Sequence, residues 1–260
     1  MKLQLVGGGK MGQALAGGLL SAGWVEPAEL AVVEVVAELR EQLTLELPNV
    51  TITAEPLAGV DTVLALKPWL TTEVAANLVA PGRVMSIAAG VTLAAIEQAL
   101  APGVPVVRVM PNTPSLVGAG ASAMAAGTSA TAADIEWAQG ILGAVGTVDV
   151  VTEAQLDAVT GLSGSGPAYF FLIAEALADA GVTAGLARPV AERLANQTML
   201  GAARMLLESD ESAAELRAAV TTPAGTTAAG LQMLERRGVR SALIDAVQSA
   251  AERSRELGAR

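Results

Sequence analysis

The sequence predicts an α/β domain built on a mostly parallel sheet, followed by an all-helical domain. Short apolar runs alternate with helix-like stretches up to about residue 150, and the strand signals stop after about residue 152. Strands that alternate with helices are typical of βαβ units and a mostly parallel sheet. We therefore expect one domain over residues 1–152 and a second over residues 153–260, with no low-complexity linker between them.

Eight segments of the first domain read as strands, because each is a short apolar run. They cover residues 2–6, 30–34, 51–53, 62–66, 84–88, 106–110, 121–125 and 147–151. Helical segments are expected between the early strands, for example at residues 12–21 and 71–79.

The second domain reads as helices separated by turn residues. The helices are expected at residues 153–181, 189–208, 212–219, 226–236 and 241–257. Ser165 stands two residues before Pro167 and resembles an N-cap with a proline early in the first turn.

The composition disfavours several classes of protein. The 260 residues carry a net charge of −10, which argues against nucleic acid or an anionic membrane surface as a partner. No apolar run approaches the ~18 residues of a membrane span, and the N-terminal MKLQLVGGG reaches glycine too early for a signal-peptide core. We expect a cytoplasmic protein that binds neither nucleic acid nor membrane.

Few side chains are available for acid–base chemistry. The chain has no cysteine and no histidine, and it has only three lysines and one tyrosine. Without cysteine we expect no zinc cluster, no metal site and no thiol catalysis. The chemistry must therefore need little proton transfer from side chains.

A glycine-rich turn follows the first predicted strand. In LQLVGGGKMGQ, Gly7, Gly9 and Gly12 match G-x-G-x-x-G, which lets a pyrophosphate approach N–H groups at the positive end of a helix. Glu34 ends the next predicted strand, 22 residues beyond Gly12, where an acid accepts hydrogen bonds from an adenosine ribose and repels a 2′-phosphate. The pattern predicts a dinucleotide site that favours NAD over NADP. A structural turn and a solvated strand-end carboxylate are the alternatives.

Three further motifs follow predicted strands of the same domain. ALKPW places Lys67 at the carboxyl end of a strand, where open α/β sheets bind ligands and where its amine suits a ribose hydroxyl or a phosphate. SIAAGV carries small residues, and RVMPNTP offers the amide of Asn112 and the hydroxyl of Thr113 to a nicotinamide carboxamide. A surface lysine and ordinary turns are the alternatives.

Two motifs lie in the predicted helical domain. The glycines of TGLSGSGPAYFF allow two helices or two subunits to approach closely, which is a structural role. AVTTPAGTTAAG places hydroxyls and backbone N–H groups at the start of the helix expected at residues 226–236, a natural seat for a carboxylate. An N-cap turn is the alternative interpretation.

Six motifs follow one another along the chain: GGGKMG, ALKP, SIAAGVT, RVMPNTP, GLSGSGPAYFF and VTTPAGTTAAGL. In this order they resemble the pyrroline-5-carboxylate reductase family across nearly the whole chain. The resemblance implies an N-terminal Rossmann-type domain and a C-terminal helical dimerisation domain that interlocks with its partner, with five dimers often forming a ring. It implies reduction of the imino acid 1-pyrroline-5-carboxylate to L-proline with NADPH or NADH, the last step of proline biosynthesis.

The resemblance also implies roles for matching positions. The pyrophosphate would be held by Gly7, Gly9, Lys10, Met11 and Gly12. The ribose nearest the nicotinamide would be lined by Ala65, Lys67 and Pro68, and the nicotinamide ring by Ala88, Ala89, Asn112 and Thr113. The substrate would be bound by Thr222, Pro223, Ala224, Gly225, Thr226 and Thr227.

Three positions depart from the family pattern. Val35 follows Glu34 where many members have a polar or charged pair, so we expect no cation for a 2′-phosphate and favour NADH as the coenzyme. Thr222 stands where serine is common, and Ala224 stands where glycine is common. Both replacements retain the chemical character of the loop and restrict its backbone. A Ser-Ala pair at residues 212–213 replaces His-Pro, so any contact made there by the histidine is lost.

The implied reaction explains why histidine is dispensable. A cyclic imine is protonated in a useful fraction near neutral pH, and its positive nitrogen makes the adjacent carbon electrophilic. Hydride transfer then needs positioning more than proton transfer. Thr227 is the expected catalytic residue, because a hydroxyl that both donates and accepts can hold the imine nitrogen and the product amine. The site is expected between the two domains.

Two other functions share these features. A β-hydroxyacid-type dehydrogenase has the same two-domain plan, but it normally needs a lysine or histidine to take the hydroxyl proton, and the helical half has neither. A non-catalytic dinucleotide-binding protein would not need a loop that binds a substrate.

Overall fold

The computed structural model describes residues 1–258, so the last two residues of the expected second domain lie outside the described residues. The strands are β1 (Leu3–Val6), β2 (Leu30–Val33), β3 (Thr51–Thr53), β4 (Asp61–Leu64), β5 (Val84–Ser86), β6 (Val106–Met110), β7 (Gly120–Ala126) and β8 (Gly146–Val150). All eight predicted strands are present, and their ends differ from the predicted ends by at most two residues.

Helices connect most of the strands and form most of the chain after β8. They are α1 (Lys10–Ser21), α2 (Ala37–Glu46), α3 (Pro68–Ala76), α4 (Leu93–Ala99), α5 (Ala132–Gly143), α6 (Leu156–Val159), α7 (Gly166–Thr183), α8 (Arg188–Glu208), α9 (Ala213–Ala219), α10 (Thr226–Arg236) and α11 (Val239–Gly258). Short 3₁₀ turns cover Pro27–Glu29, Thr113–Val117 and Glu153–Gln155.

The strands form one sheet in the order β3-β2-β1-β4-β5-β6-β7-β8. Every neighbouring pair is parallel except β6 and β7, which are antiparallel. The prediction of a mostly parallel α/β sheet with a helical C-terminal region is confirmed. Because parallel strands share a direction, the loops that follow β1, β2, β4, β5 and β6 leave the sheet on the same side. This side, formed by the carboxyl ends of these strands, is called one edge of the sheet below.

Both faces of the sheet are covered, as the alternation of side chains along β1 requires. Leu5 lies in an apolar cluster with Leu15 of α1 and Ile141 of α5. The next residue, Val6, lies in a separate cluster with Ile96 of α4. Fully burying such an aliphatic side chain contributes about 1.5–3 kcal/mol to stability.

By their internal contacts the residues form two compact units. One contains residues 1–165 and 247–258, and the other is Gly166–Ala246. The second unit holds α7, α8, α9, α10 and the first part of α11. The expected change of fold class at residue 152 falls just after the last strand, β8.

The stretch expected to be helical at residues 153–181, with a turn at residues 164–167, is helical but is divided into several elements. A 3₁₀ turn, α6, a π-helical turn (Thr160–Gly164) and α7 occupy this stretch. A Cβ atom on Gly161 would collide with the backbone oxygen of Val247 in α11, so this turn packs directly on another backbone. Ser165 is not an N-cap: its φ of −87° and ψ of −20° are right-handed helical values, whereas an N-cap is extended.

Within the second unit, α7 and α8 pack closely. A Cβ atom on Gly181 of α7 would lie 3.0 Å from the Cβ of Ala191 in α8, which is tighter than ordinary contact. Ala191 and Ala195 are buried at this contact. None of the helices within residues 1–258 is both long enough and apolar enough to cross a membrane.

Candidate active site

The residues expected to bind the coenzyme lie at one edge of the sheet. Val6 pairs with Val33 on one side and with Leu64 on the other, so β1, β2 and β4 end at the same level. Leu64 pairs with Ser86, and Ser86 with Arg108, which extends the same edge across β5 and β6. The sheet thereby gathers five loops that are far apart in sequence.

The glycine-rich loop after β1 leaves room that side chains would fill. Gly7 has a φ of +113°, and a Cβ atom there would collide with the backbone oxygen of Ala65. A Cβ atom on Gly12 would collide with the backbone oxygen of Gly7. Only glycine therefore allows this close approach of β1, α1 and the loop after β4.

The N-terminus of α1 suits an anion. Gly9 is its N-cap, with an extended backbone and no side-chain cap, and a Cβ atom there would meet nothing within 4 Å. The first turn contains no acid and begins with Lys10. Uncapped N–H groups at the positive end of a helix, beside a glycine cradle, fit the pyrophosphate of a dinucleotide.

Glu34 is bound to the backbone of two loops. Its Oε2 accepts a hydrogen bond from the N–H of Gly8 at 2.9 Å, and its Oε1 accepts one from the N–H of Val36 at 2.9 Å. The half-buried carboxylate is thus fixed beside the glycine-rich loop, where the sequence predicts the adenosine ribose. Its remaining lone pairs are available to hydroxyl donors.

A cation that the sequence analysis did not name lies at this loop. Arg40, in the first turns of α2, donates from Nη1 to the backbone oxygen of Glu34 at 2.9 Å and to that of Val35 at 2.8 Å. The sequence analysis considered only the residue after Glu34, whereas helix α2 turns the chain back toward the loop. The signal available in the sequence was an arginine six residues after a strand-end acid.

The loop after β4 reaches the glycine cradle. The N–H of Ala65 donates to the backbone oxygen of Val6 at 2.8 Å, so β4 and β1 remain paired up to this point. Lys67 is the extended N-cap of α3, and Pro68 is its first residue. The Lys67 side chain is exposed and makes no ion pair within residues 1–258, so its amine is available to a ligand.

The loops after β5 and β6 differ in how accessible they are. Ala88 is buried, Ala89 is half-buried and Thr113 is exposed. The buried Asn112 side chain donates from Nδ2 to the backbone oxygen of Ser163 at 3.0 Å and accepts at Oδ1 from the N–H of Ala121 at 2.9 Å. These bonds hold the loop in place and leave one amide hydrogen for any ligand.

In the second unit, residues 222–227 form a tight turn that opens α10. The N–H of Gly225 donates to the backbone oxygen of Thr222 at 3.0 Å, and Ala224 has a left-handed φ of 57°. Gly225 is the N-cap of α10, with no side-chain cap and no acid in the first turn. In the described chain, the hydroxyls of Thr222 and Thr227 make no hydrogen bond.

One carboxyl group of the first unit has a clearly raised pKa and lies away from the coenzyme loops. Asp61, at the first residue of β4 and hence at the opposite edge of the sheet, has a raised pKa because burial disfavours its charge, although Arg83 opposes this. The Nε of Arg83 lies 3.0 Å from the Asp61 carboxylate. Within residues 1–258, no group of three or more acidic side chains is placed to hold a metal ion.

Comparison with known proteins finds two family models that match successive parts of the chain. The family model described as pyrroline-5-carboxylate reductase dimerisation matches residues 153–257. The model described as NADP oxidoreductase coenzyme F420-dependent matches residues 2–90.

Full-length relatives agree with these matches. The pyrroline-5-carboxylate reductase of Methanosarcina acetivorans is 44% identical over 264 residues, which cover 99% of this chain and 98% of the relative. The structure of a pyrroline-5-carboxylate reductase from Coxiella burnetii has a TM-score of 0.90 at 36% identity, covering 98% of each chain. The Plasmodium falciparum pyrroline carboxylate reductase with NADP bound has a TM-score of 0.85 at 28% identity, covering 99% of this chain and 98% of that one.

Proposed function

The chain belongs to the pyrroline-5-carboxylate reductase family, and from this premise we propose how its residues bind the coenzyme and the substrate. It is an NAD(P)H-dependent oxidoreductase that reduces 1-pyrroline-5-carboxylate to L-proline in proline biosynthesis. One observation supports the assignment of roles most strongly. Two helices, α1 and α10, each follow a tight loop and have a glycine as the N-cap residue, so no side chain caps their N-termini. Neither helix has an acid in its first turn.

We propose that the first of these loops binds the coenzyme. The pyrophosphate is held by the residues Gly7, Gly9, Lys10, Met11 and Gly12. Lys67 donates to the ribose nearest the nicotinamide, beside Ala65 and Pro68. Ala88 and Ala89 lie along the ring, and Asn112 and Thr113 bond its carboxamide. When bound, the reduced nicotinamide supplies the hydride that converts the C=N bond to an amine.

The loop of α10 is proposed to hold the substrate. The N–H groups at its first turn bind the substrate carboxylate, since helix N-termini favour anions. The loop residues Thr222, Pro223, Ala224, Gly225 and Thr226 shape this seat, and the Thr222 hydroxyl adds a bond. The Thr227 hydroxyl accepts a hydrogen bond from the protonated imine nitrogen and later holds the product amine. No histidine is needed, because protonation by solvent already activates the imine.

We propose NADH as the favoured coenzyme, on the position of Glu34. Its carboxylate is held by the N–H groups of Gly8 and Val36, where a 2′-hydroxyl can donate to it and a 2′-phosphate would meet a like charge.

Coenzyme binding and substrate binding are assigned to the two domains on either side of the change of fold class. Residues 1–152 are proposed to bind the coenzyme, and residues 153–260 the substrate and a second subunit. Self-association is a property of the family that the dimerisation model describes. Assembly of five such dimers in a ring, and a cytoplasmic location, are part of the same proposal.

A single assay separates the proposed reaction from its two rivals. Loss of NADH absorbance is followed on addition of pyrroline-5-carboxylate, and NADH formation from NAD is followed with a panel of β-hydroxy acids. We expect turnover with the imine alone. Turnover of a hydroxy acid would indicate a dehydrogenase, and tight NADH binding without any turnover would indicate a non-catalytic binding protein.

A further inference from the structure

Arg40 lies at the loop that is proposed to distinguish NADH from NADPH. It is in α2, six residues after Glu34, and its half-buried side chain folds back over the turn between β2 and α2. Both hydrogens of Nη1 are used, because this atom donates to the backbone oxygens of Glu34 and Val35 at 2.9 and 2.8 Å. The guanidinium is therefore held in place by the backbone of the loop itself.

The other edge of the guanidinium is available. Within residues 1–258, Nε and Nη2 of Arg40 make no hydrogen bond and Arg40 has no acidic partner within 4.0 Å. The Nε–Nη2 edge is the part of arginine that forms two parallel bonds to a phosphate. A fixed guanidinium with this edge free is already ordered for an anion, so binding would cost little side-chain entropy.

Two opposite charges thus act at one loop. The Glu34 carboxylate is bound to the N–H groups of Gly8 and Val36, and the Arg40 guanidinium is bound to the carbonyls of Glu34 and Val35. The carboxylate favours a free 2′-hydroxyl, whereas the guanidinium favours a 2′-phosphate. Both groups are bound to the backbone of residues 34–36.

We propose that Arg40 is the residue through which this chain accepts the 2′-phosphate of NADPH, so that it binds both coenzymes and Glu34 and Arg40 together set the ratio. The proposal rests on the coenzyme site described under the proposed function. It adds a cation to a loop at which the sequence predicted only an acid.

The test is the affinity for nucleotides in the absence of substrate. Dissociation constants of NADPH and NADH are measured by their fluorescence on the full-length chain, and adenosine 2′,5′-bisphosphate is used to displace each. Arg40→Met keeps the aliphatic stem but removes the charge. We expect it to raise the Kd of NADPH about tenfold or more and to weaken displacement by the bisphosphate, since a charge-assisted hydrogen bond contributes about 1.5–3 kcal/mol. The Kd of NADH should change less than about twofold.

Two further variants keep the result interpretable. Arg40→Lys retains a charge and a donor for the loop carbonyls but loses the fork, so we expect an intermediate loss for NADPH even if Arg40→Met folds poorly. Arg253→Met removes an exposed charge elsewhere on the same unit, where Arg253 pairs only with Glu256 among residues 1–258, and should change neither constant.

Several results would overturn the proposal. An equal loss for both coenzymes in Arg40→Lys would mean that Arg40 only supports the loop, and a loss for NADH alone would mean that it acts through Glu34. A wild-type chain that does not bind NADPH would also exclude it. Because binding is read without turnover, a chain that shows the NADPH-specific loss but does not reduce the imine would contradict the proposed reaction and leave this proposal standing.

Discussion

At the residue scale, the proposed substrate loop offers hydroxyl and backbone amide groups for binding in place of ionisable side chains. Thr222 and Thr227 make no hydrogen bond within residues 1–258, and the first turn of α10 carries no acid. Hydroxyls that are not bound to the chain can bind a substrate without breaking an internal bond. The loop is therefore prepared for a small anion with a positive nitrogen.

Thr227→Val should lower kcat/KM for pyrroline-5-carboxylate by about tenfold to a hundredfold, because one hydrogen bond to a charged group contributes about 1.5–3 kcal/mol. The Kd of NADH should stay within about twofold. Steady-state kinetics and a coenzyme titration measure the two effects. Thr221→Val is the matched control, since the Thr221 hydroxyl donates to the backbone oxygen of Arg217 at 2.6 Å. Wild-type turnover in Thr227→Val would show that the hydroxyl is not needed.

Glu34→Gln should narrow the preference for NADH over NADPH about tenfold, because it removes the charge that repels a 2′-phosphate and keeps one oxygen acceptor for an amide. The ratio of kcat/KM for the two coenzymes measures this preference. Glu38→Gln, an exposed acid in the first turn of α2, is the control and should leave the ratio unchanged. An unaltered ratio in Glu34→Gln would remove Glu34 from coenzyme selection.

The sequence located residues whose roles depend on local spacing. Gly7, Gly12 and Glu34 could be found because a strand, a tight turn and a helix follow one another in order. Arg40 could not, since its contact depends on how α2 turns back onto the loop and on which rotamer reaches the carbonyls. Asn112 was expected at the nicotinamide, and its internal bonds to Ser163 and Ala121 could not be predicted from spacing.

At the scale of elements, the turn before α10 contains a local strain. Ala224 has a φ of 57°, a left-handed value at which a side chain costs roughly 1–2 kcal/mol and glycine costs little. The residue is exposed, so the cost is not relieved by packing. The turn keeps this conformation because the Gly225 N–H bonds to Thr222 and because α10 begins directly after it.

Ala224→Gly should therefore stabilise the protein by up to about 1 kcal/mol, after allowing for the greater freedom of glycine in the unfolded chain. Thermal or urea unfolding measures the change. Ala229→Gly, at an exposed position of α10 with ordinary helical geometry, is the matched control and should be destabilising by about 1 kcal/mol. If both variants lose stability equally, the left-handed strain at Ala224 is not present in solution.

The elements themselves were largely predictable. Buried strands such as β1 and β2 appear in the sequence as short apolar runs, and all eight predicted strands are present. Within residues 153–181 the π-helical turn was not predicted, and Gly161 in this turn packs against the backbone of α11, a contact between segments distant in sequence. A pattern of local propensities contains no information about such a contact.

At the scale of the whole molecule, the helical unit leaves unusual amounts of apolar surface exposed. Phe170, Phe171 and Leu172 are consecutive residues of α7 and are 61%, 68% and 66% exposed. Three consecutive helical positions cover about 200° of the helix circumference. A helix that is bare over so wide an arc, in a family with a dimerisation domain, is suited to packing inside a second subunit.

The chain should sediment as a dimer or larger species at micromolar concentration, and Phe171→Glu should weaken this association at least about tenfold, because a charge replaces a large aromatic side chain that the expected subunit interface would bury. Analytical ultracentrifugation over a concentration series measures it. Leu45→Glu is the control, since Leu45 is 83% exposed on α2 of the other unit. A folded monomeric wild-type chain would contradict an interlocked helical unit.

Composition cannot locate this association. Hydrophobic residues make up 52% of the chain, and they are spread over many alanines, valines and leucines. Only the fold shows that the largest fully buried side chains all lie in the first unit, while many large apolar side chains of α7 and α8 are exposed. Exposure is set by tertiary packing, which periodicity within one helix does not determine.

The pH dependence of kcat/KM for pyrroline-5-carboxylate tests most directly whether positioning replaces side-chain acid–base catalysis. We predict that kcat/KM with NADH falls with rising pH in step with deprotonation of the free imine, measured in the same buffers, and shows no further ionisation near neutrality. An additional ionisation that substitution of a single side chain, such as Lys67→Met, removes would contradict this, because a protein group would then be transferring the proton.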